Sequence, residues 1–295
     1  MPLSHLFLSE FVSDRGLTLR RWQTPLQGKP VLHFIHGNGF NGRVYSPMFE
    51  SLLRDYDLVL SDAQGHGESD TGHQFLGWDE NAELLSASLQ DFCARNNVQS
   101  VLGVGHSFGG VMTSLMAATR PALFSRLVLL DPVLLPPLYA GSVRLLKPLG
   151  LMRHSPMVKQ ALKRRAVWRD RRQAEQYFTG RGMFRSWTQT SVSAYARYGL
   201  KEDREGVRLK TPPWLEAEIF SGYSTNIWPL IRKLNVPTDI VYGASTYPFI
   251  KQGLARARRL NPSLQLHEVQ GGHCFMMSHP ESTAKMIRNL GVQAI

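Results

Sequence analysis

The sequence predicts an α/β fold with a mainly parallel central sheet, helices on both faces of the sheet, and an inserted helical cap. Short apolar runs alternate with helix-like segments, the alternation stops between residues 132 and 229, and it then returns. Strands separated by helices of this length need crossover connections, which make neighbouring strands parallel. We therefore expect a core formed by residues 1–131 and 230–295 and a cap formed by residues 132–229.

The elements of this core follow one another in a regular order. The turn Asp14-Arg15-Gly16 joins the first two strands, since glycine suits the positive φ of a hairpin turn. In chain order we predict strands at 6–12, 17–22 and 31–35, a helix at 45–53, a strand at 58–60, a helix at 79–96, a strand ending at 106 with a helix after it, strands at 127–130 and 238–242, a helix at 249–260, a strand at 264–269 and a helix at 281–290. Ligands of such sheets bind outside the carboxyl ends of the strands.

Composition narrows the classes of protein. The chain has 295 residues, 43% of them hydrophobic, and can bury a large core. No N-terminal signal pattern and no run of about 18 apolar residues occur, so we expect a soluble, cytoplasmic protein. Two cysteines are too few for a disulfide framework, and no Cys, His and carboxylate set has metal-ligand spacing. We therefore expect no metal and no other cofactor.

Most of the net charge of +11 lies in one part of the predicted cap. Its basic residues are Arg144, Lys147, Arg153, Lys159, Lys163, Arg164, Arg165, Arg169, Arg171 and Arg172, with Asp170 as the single acid. Leucine, methionine and tryptophan are interleaved with them. Such a surface could contact an anionic membrane or admit an acidic substrate, or it could be a solvated helix face. Nucleic acid is not expected as a partner, because no binding motif accompanies the charge.

The run Gly105-His106-Ser107-Phe108-Gly109 lies between a valine-rich strand and a helix. A G-x-S-x-G run in this position holds its serine on a sharp strand-to-helix turn, with the hydroxyl projecting from the edge of the sheet. The backbone N–H groups there face the same region at a helix N-terminus, which favours developing negative charge. Ser107 is therefore a candidate nucleophile, and the N–H of Phe108 is a candidate oxyanion donor.

Three further motifs accompany this turn: His36-Gly37-Asn38-Gly39, the run from Asp62 to Ser69, and Gly271-Gly272-His273. Together the four motifs span nearly the whole chain in one order. On these residues the sequence resembles the α/β-hydrolases of the capped esterase, lipase and epoxide hydrolase group. The resemblance implies a nucleophile, an acid and a histidine in that order along the chain, with the first motif supplying an oxyanion donor.

The resemblance, together with the chemistry of serine, suggests roles for individual residues. A serine hydroxyl needs a base within hydrogen-bond reach, and the imidazole of His273 is the candidate. The backbone N–H of Asn38 is the implied second donor of the oxyanion hole beside Phe108. His36, His66 and His106 are interpreted as hydrogen-bonding residues of turns.

The acid departs from the commoner pattern of the group. Many relatives carry it just after the strand that follows the cap, but residues 242–248 contain no carboxylate, and Asp239 lies at the start of that strand. Other relatives place the acid at the end of the strand after the nucleophile helix, where Asp131 stands. We therefore predict Asp131 as the third catalytic residue. As alternatives, Asp131 could cap the first cap helix, and Asp62 is a second acidic candidate.

Serine at the turn favours chemistry at an acyl carbon, because epoxide hydrolases and dehalogenases of the group carry aspartate there. We expect hydrolysis of a carboxylic ester through an acyl-enzyme, as in an esterase, a lipase or a lysophospholipase, with a small acyl ester or a lipid as substrate. The same triad could also serve a thioesterase, an acyltransferase or a carbon–carbon bond hydrolase. A hydrolase-like binding protein without catalysis is a further alternative.

Overall fold

The computed structural model describes Leu3 and residues 5–292, so the two ends of the predicted core fall outside the described residues. This part of the chain contains eleven strands: β1 (Phe7–Val12), β2 (Thr18–Gln23), β3 (Val31–Ile35), β4 (Asp57–Ser61), β5 (Val101–His106), β6 (Phe124–Leu130), β7 (Val167–Trp168), β8 (Leu200–Asp203), β9 (Gly206–Leu209), β10 (Thr238–Gly243) and β11 (Gln265–Val269).

The same residues form twelve α-helices: α1 (Ser46–Phe49), α2 (Trp78–Asn96), α3 (Phe108–Thr119), α4 (Pro137–Leu146), α5 (Pro156–Leu162), α6 (Arg171–Phe178), α7 (Gln189–Tyr198), α8 (Pro213–Phe220), α9 (Ile227–Lys233), α10 (Pro248–Leu260), α11 (Phe275–Ser278) and α12 (Pro280–Val292). The helix predicted at 45–53 is shorter in the structure. It consists of the single turn α1 between two turns of 3₁₀ helix.

Eight strands form the central sheet in the order β1-β2-β4-β3-β5-β6-β10-β11. β1 and β2 pair antiparallel, β2 also pairs antiparallel with β4, and every pairing from β4 to β11 is parallel. All residues of the interior strands β3, β4 and β5 are buried, because helices cover both faces of the sheet. The predicted mainly parallel sheet of an α/β fold is confirmed.

Two apolar clusters lie against the sheet. One joins side chains of α2, α3, α9 and α10, among them Phe92 and Leu254. The other joins α1 and α12 with the cap, and includes Phe49, Trp168 and Tyr195. The cap therefore shares one continuous apolar cluster with the core, which fixes part of it over the carboxyl ends of the strands.

The segment predicted as a helical cap contains short helices, as expected, together with an antiparallel sheet of order β7-β9-β8 that the prediction lacks. Gly206 begins β9 with a φ of +130°, and a Cβ there would lie 2.3 Å from the carbonyl oxygen of Trp168. Only glycine allows this close approach of β7, so the small sheet depends on a local backbone feature. The predicted boundary between residues 229 and 230 falls inside α9, and the division into core and cap stays a prediction.

Candidate active site

Ser107 lies on a sharp turn between β5 and α3. Its φ of 56° and ψ of −115° are unusual for a residue with a side chain, and such strain is found at functional turns. The backbone of α3 passes so close to β3 that a Cβ at Gly109 would lie 2.1 Å from the carbonyl oxygen of Ile35. The glycine after the serine is therefore a steric requirement of the turn.

The structure brings Ser107, His273 and Asp131 together. Nε2 of His273 lies 2.9 Å from Oγ of Ser107, and Nδ1 lies 2.6 Å from Oδ2 of Asp131. Ser107 follows β5, Asp131 follows β6 and His273 lies in the loop after β11, so all three stand at the carboxyl ends of parallel strands. A carboxylate can only accept, so Nδ1 of His273 donates to it and Nε2 is free to accept the serine proton.

Asp131 is fully buried and held from several sides. Its backbone has a φ of 45°, and its N–H donates to the carbonyl of Val241 at 2.7 Å. Oδ1 accepts from the backbone N–H of Gly243 at 3.0 Å, and Oδ2 accepts from the hydroxyl of Thr246. Residues 243–246 contain no carboxylate themselves. They supply hydrogen-bond donors to the carboxylate of Asp131, which follows β6. Sequence reasoning missed Thr246, because no motif marks it.

Phe108 and Asn38, the two predicted oxyanion donors, line the same cavity as Ser107 and His273. Phe108 is the first residue of α3, so its N–H has no acceptor within the helix. Asn38 lies in the loop after β3, and its side-chain amide donates to the backbone carbonyl of Glu216 at 3.1 Å. This hydrogen bond holds the loop against the cap and occupies the side-chain amide. The candidate donor to the oxyanion is therefore the backbone N–H of Asn38.

Two neutral histidines connect the loop of Asn38 to the loop after β4. Nε2 of His36 accepts from the N–H of Ala63 at 3.1 Å, and Nε2 of His66 accepts from the N–H of Gly39 at 3.1 Å. Burial lowers the pKa of His66 to about 4 and that of His36 well below its usual range. Both rings therefore act as hydrogen-bonding parts of the loops at neutral pH.

A buried relay joins the Asn38 loop to the His273 loop. The N–H of Gly37 donates to the hydroxyl of Tyr45 at 3.0 Å, and that hydroxyl lies 2.7 Å from Nδ1 of His106. Nε2 of His106 donates in turn to the carbonyl of His273 at 3.0 Å. Burial lowers the pKa of His106, so the ring is neutral and has one donor and one acceptor. The relay fixes the backbone that carries the candidate base.

The cap adds a polar network above the Asn38 loop. Nη1 of Arg164 lies 2.6 Å from Oε2 of Glu216, and Nη2 donates to the hydroxyl of Tyr195. That hydroxyl donates to the carbonyl of Gly39 at 3.3 Å. Glu216 lies in α8, Tyr195 in α7 and Arg164 in the chain before β7. No spacing in the sequence indicates that these three residues meet. Because they are largely buried, the contacts are shielded from water and hold the loop against the cap.

A cavity of about 350 Å³ lies between the cap and the ends of the strands. Ser107 and His273 lie in its wall, and most of the remaining wall is apolar or aromatic, including Phe40, Trp78, Leu135, Tyr139, Ile219 and Phe249. Among the described residues of this wall, Glu216 is the one carboxylate and no lysine or arginine contributes. The cavity therefore favours an uncharged, mostly apolar ligand.

The described part of the chain lacks two other features. None of its helices is long and apolar enough to span a membrane. Within the same residues, no group of three or more His, Cys, Asp or Glu is placed to hold a metal ion. The predictions of a cytoplasmic location and of a reaction without metal or cofactor stay predictions.

The parallel sheet, the strand-to-helix turn at Ser107 and the residues gathered around it define the class of α/β-hydrolases. The chain belongs to the alpha/beta hydrolase family, whose model matches residues 34–286. The resemblance given by the four sequence motifs is thereby confirmed for the α/β-hydrolase family as a whole, and the protein is a hydrolase of this fold.

Two enzymes are similar to this chain in sequence. One is 2-(acetamidomethylene)succinate hydrolase of Mesorhizobium japonicum, which is 25% identical over 273 residues, covering 88% of this chain and 87% of the enzyme. The other is (E)-2-((N-methylformamido)methylene)succinate hydrolase of Acinetobacter baylyi, which is 31% identical over 114 residues, covering 36% of this chain and 39% of that enzyme. A crystal structure of E-2-(acetamidomethylene)succinate hydrolase matches with a TM-score of 0.79 at 24% identity, over 97% of this chain and 99% of the other, and supports the fold.

Proposed function

We propose that this protein is a hydrolase that attacks a carbonyl carbon with Ser107 and passes through an acyl-enzyme. The observation that carries the proposal is the pair of hydrogen bonds at His273, 2.9 Å to the serine Oγ and 2.6 Å to the Asp131 carboxylate. Nucleophile, base and orienting acid in this order are the arrangement that such chemistry requires.

Each residue then has one role in the reaction. His273 takes the proton of Ser107 as the serine oxygen attacks, and Asp131 stabilises the imidazolium that forms. The backbone N–H groups of Asn38 and Phe108 donate to the oxygen that becomes negatively charged. His273 next gives the proton to the leaving group, and it later activates the water that releases the acyl group from Ser107.

The bond that is cleaved has two candidates. A carboxylic ester is the first expectation from the sequence, and the apolar cavity suits an uncharged acyl substrate. The two enzymes named above favour the alternative, in which the same triad cleaves another bond, a carbon–carbon bond among them. The substrates in their names carry an acylated nitrogen and a succinate, and neither name contains an ester. The test of this proposal therefore needs acyl substrates in which different kinds of bond are cleaved, and not esters alone.

The test combines covalent labelling with a substrate panel. A fluorophosphonate probe should label Ser107, and S107A should abolish both labelling and turnover. The matched control is S186A, which removes the hydroxyl of another serine in the cavity wall and should leave labelling unchanged. The panel holds p-nitrophenyl esters of rising chain length, thioesters, N-acyl enamines and β-diketones.

Three results decide between the candidates. Labelling with turnover of esters supports esterase activity, and turnover of N-acyl enamines or diketones alone supports the alternative. A folded protein that is neither labelled nor active on any compound would contradict the proposal and favour a binding protein of this fold.

A further inference from the structure

The cap carries an exposed surface that is both apolar and basic, formed by the exposed side chains of residues 138–163, and we name it the α4–α5 surface. Leu138 is 91% exposed, Leu145 is 70% exposed and Leu149 is 66% exposed. Leu138 and Leu145 are seven residues apart in α4 and therefore lie on the same side of that helix. Leu162 at the end of α5 is also exposed. Isolated exposed leucines are common, but several in one short segment indicate a contact surface.

The charge of this segment has a single sign. Between residues 138 and 163 the sequence has five lysine and arginine residues and no aspartate or glutamate. Lys147, Arg153, Lys159 and Lys163 are exposed among the leucines. Part of this charge is offset from outside the segment, because Oε2 of Glu218 lies 3.8 Å from the ammonium group of Lys147. The remaining basic side chains give the surface a positive potential.

The α4–α5 surface also borders the cavity that holds Ser107. Tyr139 of α4 is 41% exposed and lies in the cavity wall beside Leu135, and Met157 of α5 lies in the same wall. The helices that present the leucines outward therefore form the side of the cavity as well. Whatever covers the exposed leucines will lie next to the cavity.

We propose that the α4–α5 surface docks on an anionic lipid bilayer, with the leucines among the acyl chains and the lysine and arginine side chains at the headgroups. Apolar side chains flanked by basic ones are the pattern by which proteins rest in the plane of a bilayer. A second copy of the chain fits this surface less well, because a symmetric contact would bring two basic surfaces together without acids between them. The proposal does not depend on the chemistry of Ser107.

The test is flotation of the full chain with vesicles of phosphatidylcholine, alone or with about one third phosphatidylglycerol. We expect binding to the anionic vesicles at low salt and little binding at high salt, since the charge interaction is screened. K159Q/K163Q should lower the partition coefficient roughly 30-fold, because each basic side chain near an anionic surface contributes about 1 kcal/mol. L138S/L145S should lower it roughly ten-fold or more, through the loss of apolar contact.

Matched control variants show whether a loss of vesicle binding is specific to the α4–α5 surface or follows from removing any basic or apolar side chain. R232Q/K233Q removes two exposed basic residues at the end of α9, and V12S removes an aliphatic side chain of 67% exposure from β1. Both should bind vesicles like the unaltered protein, and so should S107A, whatever the result of the activity assays. Circular dichroism of each variant confirms that it is folded.

Three outcomes would overturn the proposal. The first is a folded protein that does not float with anionic vesicles at low salt. The second is equal loss of binding in the control variants and in the α4–α5 variants. The third is a concentration-dependent dimer in sedimentation velocity that L138S/L145S abolishes while vesicles do not bind, which would make a second copy the partner of this surface.

Discussion

Replacing Asp131 by asparagine separates the charge of the candidate triad from its shape. Oδ1 of Asp131 accepts from the N–H of Gly243, and Oδ2 accepts from Thr246 and from His273. Asparagine can keep its oxygen on Gly243, but its NH₂ group then faces His273. The imidazole must accept at Nδ1 and carry its proton on Nε2, where it can no longer take the proton of Ser107.

We expect D131N to lower kcat by about 10³-fold to 10⁴-fold with little change in KM, because the base has the wrong tautomer and the imidazolium loses its counter-charge. This loss corresponds to roughly 4 to 5 kcal/mol of transition-state stabilisation. The assays are steady-state turnover of the best panel substrate and the rate at which the fluorophosphonate labels Ser107. Because the side chain keeps its volume and one of its hydrogen bonds, the variant should fold.

Thr246→Val is the matched control for this experiment, because it removes one donor to the same buried oxygen and keeps the carboxylate. We expect a loss of roughly ten-fold, the effect of one hydrogen bond to a charged group. A folded D131N variant with turnover close to that of the unaltered protein would refute the role of Asp131. Equal losses in the two variants would mean that the orientation of the carboxyl group matters more than its charge.

Two further predictions concern stability. G109A should lower the free energy of unfolding by about 3 kcal/mol, since its Cβ would meet a backbone oxygen of β3 at 2.1 Å. G141A is the control, because its Cβ would enter open space inside α4, where alanine favours the helix, and it should raise the free energy of unfolding by up to about 1 kcal/mol. Equal urea midpoints of the two variants would contradict this. The free energy of unfolding should also fall by about 3 kcal/mol from pH 6.5 to pH 4. Burial lowers the pKa of His33 to about 3 and that of His66 to about 4, so the unfolded chain binds more protons at these histidines than the folded protein does. Burial raises the pKa of Asp62 to about 7, which stabilises the fold as pH falls, but the effect of several buried histidines is larger than that of one carboxyl group. A urea midpoint that stays constant or rises towards pH 4 would contradict this prediction.

The fold was predictable from the sequence because each of its signals is local. Apolar runs, glycine turns and helix-like segments each lie within a few residues, and their alternation determines a parallel sheet. The turn at Ser107 was predictable for the same reason, since strand, serine and helix are contiguous. The small sheet of the cap was not, because β7 and β9 are short and pair across about 40 residues.

The candidate site divides in the same way. Ser107, Asp131 and His273 stand beside recognisable strand ends, so the sequence could place them at one edge of the sheet. Their supporting contacts join residues that no spacing rule connects. Asp131 and Thr246 are 115 positions apart, and the hydroxyl of Tyr45 meets a ring 61 positions away. Such pairs depend on tertiary packing, which a single sequence does not reveal.

The charge of the cavity wall indicates whether this protein can bind a dicarboxylate, such as the succinates in the names of the two enzymes described above. A succinate carries two carboxylates, and a carboxylate in an apolar cavity needs a cation or several N–H donors. Arg164 of the cap lies behind this wall, and its guanidinium group is already bound to Glu216 and Tyr195. Glu216, the one carboxylate among the described residues of this wall, is already paired with Arg164, so the wall offers a dicarboxylate no free cation. We therefore expect the triad to act here on an uncharged acyl compound, because the wall around Ser107 is mostly apolar and offers no lysine or arginine among its described residues.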